Sequence, residues 1–105
     1  MNKTQLTEMA FQIVSFAGDA RGIATEGIQL AKKGEIYQAR EKIKEAKDTI
    51  AQAHLIQTDM VSAEANGEEL PFSVLLIHGQ DHLMTAMAVI DMAKEFIDLY
   101  DKLNN

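Results

Sequence analysis

The most informative stretch of the chain is Ile77-His78-Gly79-Gln80-Asp81-His82. On a helix His78 and His82 stand one turn apart, and Asp81 falls at i+3 from His78, on neighbouring surface. Two imidazoles and a carboxylate gathered this closely need partners wherever they leave water. Three chemistries suit them. A neutral imidazole nitrogen is a nucleophile at roughly neutral pH and can carry a phosphoryl group, with a second imidazole one turn on donating to its oxygens. Gln80 is a further donor in the stretch, although on an ideal helix it points away from His78. Histidines at i and i+4 also make a bidentate pair for zinc or copper. The third chemistry is structural, a hydrogen-bonded polar layer that fixes the register of an assembly.

The order His-x-x-Asp-His is similar to the inverted zinc-protease motif His-x-x-Glu-His, but Asp replaces the general base and a three-helix chain offers no substrate cleft. Other polar residues carry less. His54 reads as a satisfied core or interface histidine, Asp19 and Arg21 as surface or inter-helix ion-pair groups, and Tyr37 and Tyr100 as packing residues. No glycine-rich phosphate loop is present, which argues against direct use of ATP. The chain has no Cys, which removes disulfides, Cys-ligated zinc and thiol catalysis.

The elements that must position the histidines follow from periodicity. Pro71 is the only proline and every glycine is isolated, so breakers are sparse and the helices long. A first helix is predicted over about Thr4 to Lys33, on a stripe of Leu6, Met9, Ile13, Phe16, Ala20, Ile23, Gly27 and Leu30, with Gly34 as its stop. Gly18, Gly22 and Gly27 each cost about 1 kcal/mol within it, and close approach of a neighbouring backbone is the expected compensation. A second helix is predicted over about Glu35 to Ala65, on a heptad seam of Ile36, Ala39, Ile43, Ala46, Ile50, Ala53, Gln57 and Met60. Asn66-Gly67-Glu68-Glu69 marks its end. A third runs from Pro71 or Ser73 to Leu103, with Pro71 suited to a first helical turn. Its seam is Leu76, Gly79, Leu83, Ala86, Ile90, Ala93, Ile97 and Tyr100. A second stripe holds His78, His82, Thr85, Val89, Met92 and Phe96. The fold class is therefore all-α, an antiparallel up-down-up three-helix bundle, with residues 1–105 forming a single domain.

Composition narrows the setting. A net charge of −6 disfavours nucleic acid as a partner. No signal peptide and no membrane-length apolar run stands out, so a cytoplasmic chain without membrane insertion is the expectation. Six of the ten Lys/Arg lie between Lys32 and Lys47, opposed there only by Glu35, Glu41 and Glu45. A solvated helix face accounts for that run, and a docking patch for an acidic partner is the alternative. Between Met84 and Leu99 the third helix is apolar nearly all round, more than two partner helices can cover. A homo-oligomer with this helix at its interface is expected; a Met-rich groove for a transient partner is the alternative.

Four segments then carry a resemblance: Ala17-Gly18-Asp19-Ala20-Arg21; Ala53-His54 with Gln57-Thr58; Asn66-Gly67-Glu68-Glu69-Leu70-Pro71; and His78-Gly79-Gln80-Asp81-His82-Leu83-Met84-Thr85. Together, in order and over essentially the whole chain, they resemble the lactose/cellobiose family of enzyme IIA components of the bacterial sugar phosphotransferase system. The resemblance implies a three-helix protomer in a homotrimer. It implies that His78 accepts a phosphoryl group from the phosphocarrier HPr and passes it to a Cys of the cognate IIB component. It implies that His82 supports His78, and that three copies of Asp81 near the trimer axis hold a divalent cation, usually magnesium. Gln80 is a lesser supporting candidate. The competing view is a metal-binding or oligomerisation bundle that transfers nothing. The choice of β-disaccharide is not written in these residues.

Overall fold

Each of the three stripes folds as one long helix. The computed structural model describes residues 1–104 and contains α1 (Lys3–Lys32), α2 (Ile36–Ala65) and α3 (Val74–Asn104). The bundle measures 54 × 20 × 17 Å. Helix α1 packs between the other two. Gly79 of α3 lies against Ala10 and Ile13 near the start of α1, and Gly27 near its end meets Ala39 of α2 and Ile97 of α3. Chain order and these neighbours give the up-down-up path, with α1 parallel to α3 and antiparallel to α2.

The ends are set by local hydrogen bonds. Asn2 caps α1: its Oδ1 accepts from the Gln5 N–H at 2.8 Å, and Gln5 Oε1 accepts from the Asn2 N–H at 2.9 Å, a reciprocal capping box. Helix α1 ends where Gly34 takes φ +83. Its N–H bonds to Ala31 O and that of Glu35 to Leu30 O, so two otherwise orphaned carbonyls are satisfied. Helix α2 ends the same way at Gly67, φ +93, with Gly67 bonding to Glu64 O and Glu68 to Ala63 O. Only glycine adopts these left-handed angles without strain.

Pro71 is not in the first turn of α3 as expected. Ser73 caps that helix, its buried Oγ accepting from the Leu76 N–H at 3.1 Å, and the cap moves the start past the proline. The N-terminus holds the same segment in place, because the Met1 amino group pairs with Glu68 and the Lys3 ammonium donates to the Phe72 carbonyl oxygen.

The α2 and α3 seams are buried as predicted, with Ile36, Ile50, Gln57, Leu76 and Tyr100 half-buried at the margins. The α1 stripe lies slightly rotated from expectation. Its buried line is Leu6, Ala10, Ile13, Ala17, Ala20, Ala24, Gly27 and Ala31. Met9, Phe16, Ile23 and Leu30 flank it and pack against the core from the side. The cause is that α1 packs far more extensively on both other helices than they do on each other, so its buried arc is wide: Leu6, Ile13 and small residues lie along its centre and the other large residues flank it. The core is alanine-rich around Ala20, Ala24, Ala39, Ala46 and Ala93, and carries larger side chains around Leu6, Met60 and Leu83, near the start of α3.

The glycines of α1 divide. A Cβ on Gly27 would lie 3.2 Å from Ala39 O, so this position does admit a close backbone. Gly18 and Gly22 have nothing within 4 Å, so the expected compensation is absent there within one protomer. Tyr37, expected to pack, is 75% exposed at the first turn of α2. Gly18→Ala should therefore raise protomer stability by about 0.5–1 kcal/mol through helix propensity. Gly79→Val, forced towards Ala10 O, should lower it by about 1–3 kcal/mol. Urea unfolding followed by circular dichroism measures both, and equal shifts for the two variants would contradict this packing.

Candidate functional site

His78 and His82 project from the second turn of α3 onward, on the flank facing α1. Gly79 between them sets their depth: it is buried, and a side chain there would meet Ala10 O at 3.3 Å and the methyls of Ile13 and Val14 at 3.6 Å. His78 is exposed and His82 half-buried. The two rings stand edge to face, centroids 4.4 Å apart and planes at 82°. Their Nε2 atoms are 3.0 Å apart.

That contact limits the protonation states. Two bare lone pairs or two N–H groups would repel at this distance, so the pair is satisfied when one ring presents N–H and the other its lone pair. With the proton on His82 Nε2, His78 Nε2 offers a lone pair on the more accessible ring, the arrangement a nucleophile needs. With the proton reversed, His78 would be a donor only at that atom.

Gln80 turns away from the histidines. Its Oε1 accepts from Gln57 Nε2 of α2, an inter-helix bond beneath the surface. This agrees with the helical geometry and weighs against Gln80 as a ligand for a group on His78. Gln57 was foreseeable as a partner-seeker, since it is the one amide in the α2 seam and a half-buried amide needs a bond.

Asp81 is exposed, with Ile77, Met84 and Ala88 at i−4, i+3 and i+7 on the same face, all exposed as well. The expectation that the His/Asp/His group is partly withdrawn from water holds for His82 alone within one protomer. Among the described residues no three His, Cys, Asp or Glu side chains come together as a metal site. A carboxylate suits a hard, oxygen-loving cation, but Asp81 supplies a single ligand per chain. His54 is exposed on α2, so it is not a core histidine. Asp19 and Arg21 are likewise exposed.

The outward face of α3 continues from Asp81 as an apolar strip. Val74, Ile77, Met84, Met92, Phe96, Leu99 and Leu103 are all exposed large hydrophobic residues. Beside it, Ile28 of α1 joins Thr85, Val89, Met92 and Phe96 in a groove of about 320 Å3. Helix α3 is therefore apolar on two opposite sides, one packed and one open. No helix among the described residues is long and apolar enough to cross a membrane.

Residues 8–101 match the family model described as PTS system, Lactose/Cellobiose specific IIA subunit. The lactose-specific EIIA component of Lactococcus lactis subsp. lactis is 44% identical over 102 residues, covering 97% of each chain. A cellobiose-specific enzyme IIA from Bacillus anthracis has a crystal structure that superposes with a TM-score of 0.92 at 45% identity, covering 99% of this chain and 94% of that one. The IIA(Chitobiose) subunit of Escherichia coli, solved in solution in complex with HPr, superposes with a TM-score of 0.84 at 30% identity, covering 95% of this chain and 97% of that one.

Proposed function

The chain belongs to the lactose/cellobiose-specific IIA family of the phosphotransferase system, and on that footing we propose that His78 is the residue through which it carries phosphoryl groups. A IIA component of this kind is a phosphotransferase carrier. It takes a phosphoryl group from HPr and hands it to the IIB component. The observation that supports His78 as the acceptor is the Nε2–Nε2 contact of 3.0 Å with His82 on an open flank of α3.

The lone pair of His78 Nε2 attacks phosphorus as the bond from phosphorus to the donor breaks in line. Such a loose transition state depends on positioning and charge stabilisation, with little covalent work for the protein. The His82 N–H, which occupies the His78 lone pair in the resting pair, swings off it to an incoming phosphoryl oxygen as that lone pair forms the N–P bond. In the second half the Cys sulfur of IIB attacks the same phosphorus and His78 leaves as neutral imidazole. Both partners approach one imidazole, so they use overlapping surfaces. Gln80 is left as a structural bridge to Gln57.

We propose further that the chain works in the cytoplasm as a homotrimer, with the exposed apolar face of α3 at the threefold axis. This covers the strip that a single chain leaves open. Three Asp81 carboxylates would then converge, and like charges brought together resist ionisation unless a cation offsets them. Oxygen ligands favour magnesium or another hard cation, whose part would be to neutralise the three charges. The sugar stays open, since the relatives are named for lactose, cellobiose and chitobiose.

Incubation with enzyme I, HPr and phosphoenolpyruvate should add one acid-labile phosphoryl mass to wild type and none to His78→Ala. Mass gain by His78→Ala would refute the acceptor assignment. His82→Ala should still be loaded, roughly 10- to 100-fold more slowly, as expected for a lost hydrogen bond to a charged group of about 1.5–3 kcal/mol. A rate equal to wild type would remove His82 from the mechanism. Sedimentation should give a trimer that loosens on chelation, whereas Asp81→Leu should stay trimeric with or without chelator. A monomeric wild type, or identical chelator responses, would rule out the axial carboxylate site.

A further inference from the structure

Far from the histidines, the α2–α3 face holds a second arrangement of charge. Arg40, Lys44 and Lys47 of α2 and Lys94 of α3 surround a groove of about 230 Å3, with Ile43 and Ile97 as the other lining residues. Ile43 keeps a sliver of exposed surface and Ile97 none, so the methylene stems of the surrounding lysines and Arg40 supply most of the apolar wall. No carboxylate lines the groove, although the chain carries 16 acidic residues against 10 basic ones. Asp48 and Asp91 lie one helical turn from Lys44 and Lys94 but do not line it.

The four cations differ in their engagement. Arg40 spans the helices, with one guanidinium nitrogen 2.7 Å from Asp98 and the other 3.1 Å from Asp101. The hydrogen bond to Asp98 above all holds its ionisation further up than usual. Arg40 is thus a fixed wall at one end. Lys44, Lys47 and Lys94 make no ion pair among the described residues. On the opposite flank of α2, Lys42 pairs with Glu26 at 3.0 Å and with Glu45 at 3.6 Å. Lys42 is thus engaged, whereas Lys44, Lys47 and Lys94 are left open around a shared concavity although Asp48 lies one turn from Lys44. Converging cations of this kind repel one another and concentrate counter-anions.

We propose that this groove binds a small phosphomonoester, its oxygens taken by Lys44, Lys47 and Lys94 and the less polar face of its organic group resting on the methylene stems of those side chains and on the edge of Ile43. A phosphomonoester brings about −1.5 to −2 charge and three strong acceptor oxygens, which matches three mobile ammonium donors. Lysine binds phosphate as a point charge and needs no fixed fork. The volume lies below the roughly 300–1,000 Å3 of drug-sized pockets, which selects a small molecule over a peptide segment. Lys94 lies about 24 Å along α3 from His78, at 1.5 Å rise per residue. The ligand neither blocks the imidazole nor enters the transfer, so the site stands independently of the assignment of His78.

Amide NMR titration of the full chain at low salt, with glucose 6-phosphate, inorganic phosphate and glucose as probes, tests the site. Glucose 6-phosphate should give saturable shifts at residues 43–47 and 94–97 in the millimolar range or tighter. Inorganic phosphate should bind more weakly and glucose should not bind. The exposed triple variant Lys44→Gln/Lys47→Gln/Lys94→Gln should weaken glucose 6-phosphate at least about tenfold, the scale of losing charge-assisted bonds, with unchanged circular dichroism and melting. His78→Ala should bind as wild type does. Absence of saturable shifts, shifts confined to the surroundings of His78, or full binding by the triple variant would each overturn the proposal. Equal affinity for inorganic phosphate would overturn the role of the apolar wall.

Discussion

The structure depends on how near α3 comes to α1 at Gly79. A hydrogen in place of a side chain lets the α3 backbone settle onto Ala10, Ile13 and Val14. Interiors are packed closely enough that one added methyl is felt. Residues on either side of this contact inherit its position. His78 falls just outside the inter-helix boundary, on open surface, and His82 just inside it, half-covered. The difference in exposure between two chemically identical rings, one turn apart, comes from that single backbone approach. It makes one ring the reachable member of the pair and the other its anchored neighbour.

The same helix solves two packing problems at once. Its seam from Leu83 through Ile97 belongs to the core, and its opposite side presents an apolar strip interrupted by Asp81. A charged group in such a strip costs little while water reaches it and much once a partner covers it. In the trimer proposed above, Asp81 would couple association to ion binding, whereas the histidines sit at the edge of the strip and keep access to solvent.

Much of this was legible in the residues. Heptad spacing in α2 and α3 identified the buried seams because each helix presents one narrow face to its neighbours. The stripe of α1 was harder. A helix packed extensively on both its neighbours, as α1 is, has a wide buried arc, and residue size along it then depends on interaxial distance, which periodicity does not encode. Periodicity therefore places Met9 and Phe16 at the centre, where the fold puts Ala10 and Ala17. The sequence leaves the start of α3 between Pro71 and Ser73, since both favour helix entry, and the capping bond of Ser73 decides for the serine. Gly18 and Gly27 are identical as residues, and only the fold distinguishes an open surface from a crossing point. At the site, the spacing of His78 and His82 on one helix fixed their proximity in advance. The Gln57–Gln80 bond joins separate helices, and their relative rotation had to be known before that pairing could be seen.

The stretch between α2 and α3 is irregular in backbone but is not a loose tether. The terminal amine of Met1 and the side chain of Lys3 clasp it through Glu68 and Phe72, a few residues ahead of the turn that bears His78. Residues 67 and 69 positions apart are thereby joined ahead of the turn that bears His78. Extending the polypeptide at its amino end, as purification handles do, would turn the Met1 ammonium into an amide and weaken its hold on Glu68, leaving the Lys3–Phe72 bond to keep the entry of α3. Attachments placed after Leu103 leave it untouched.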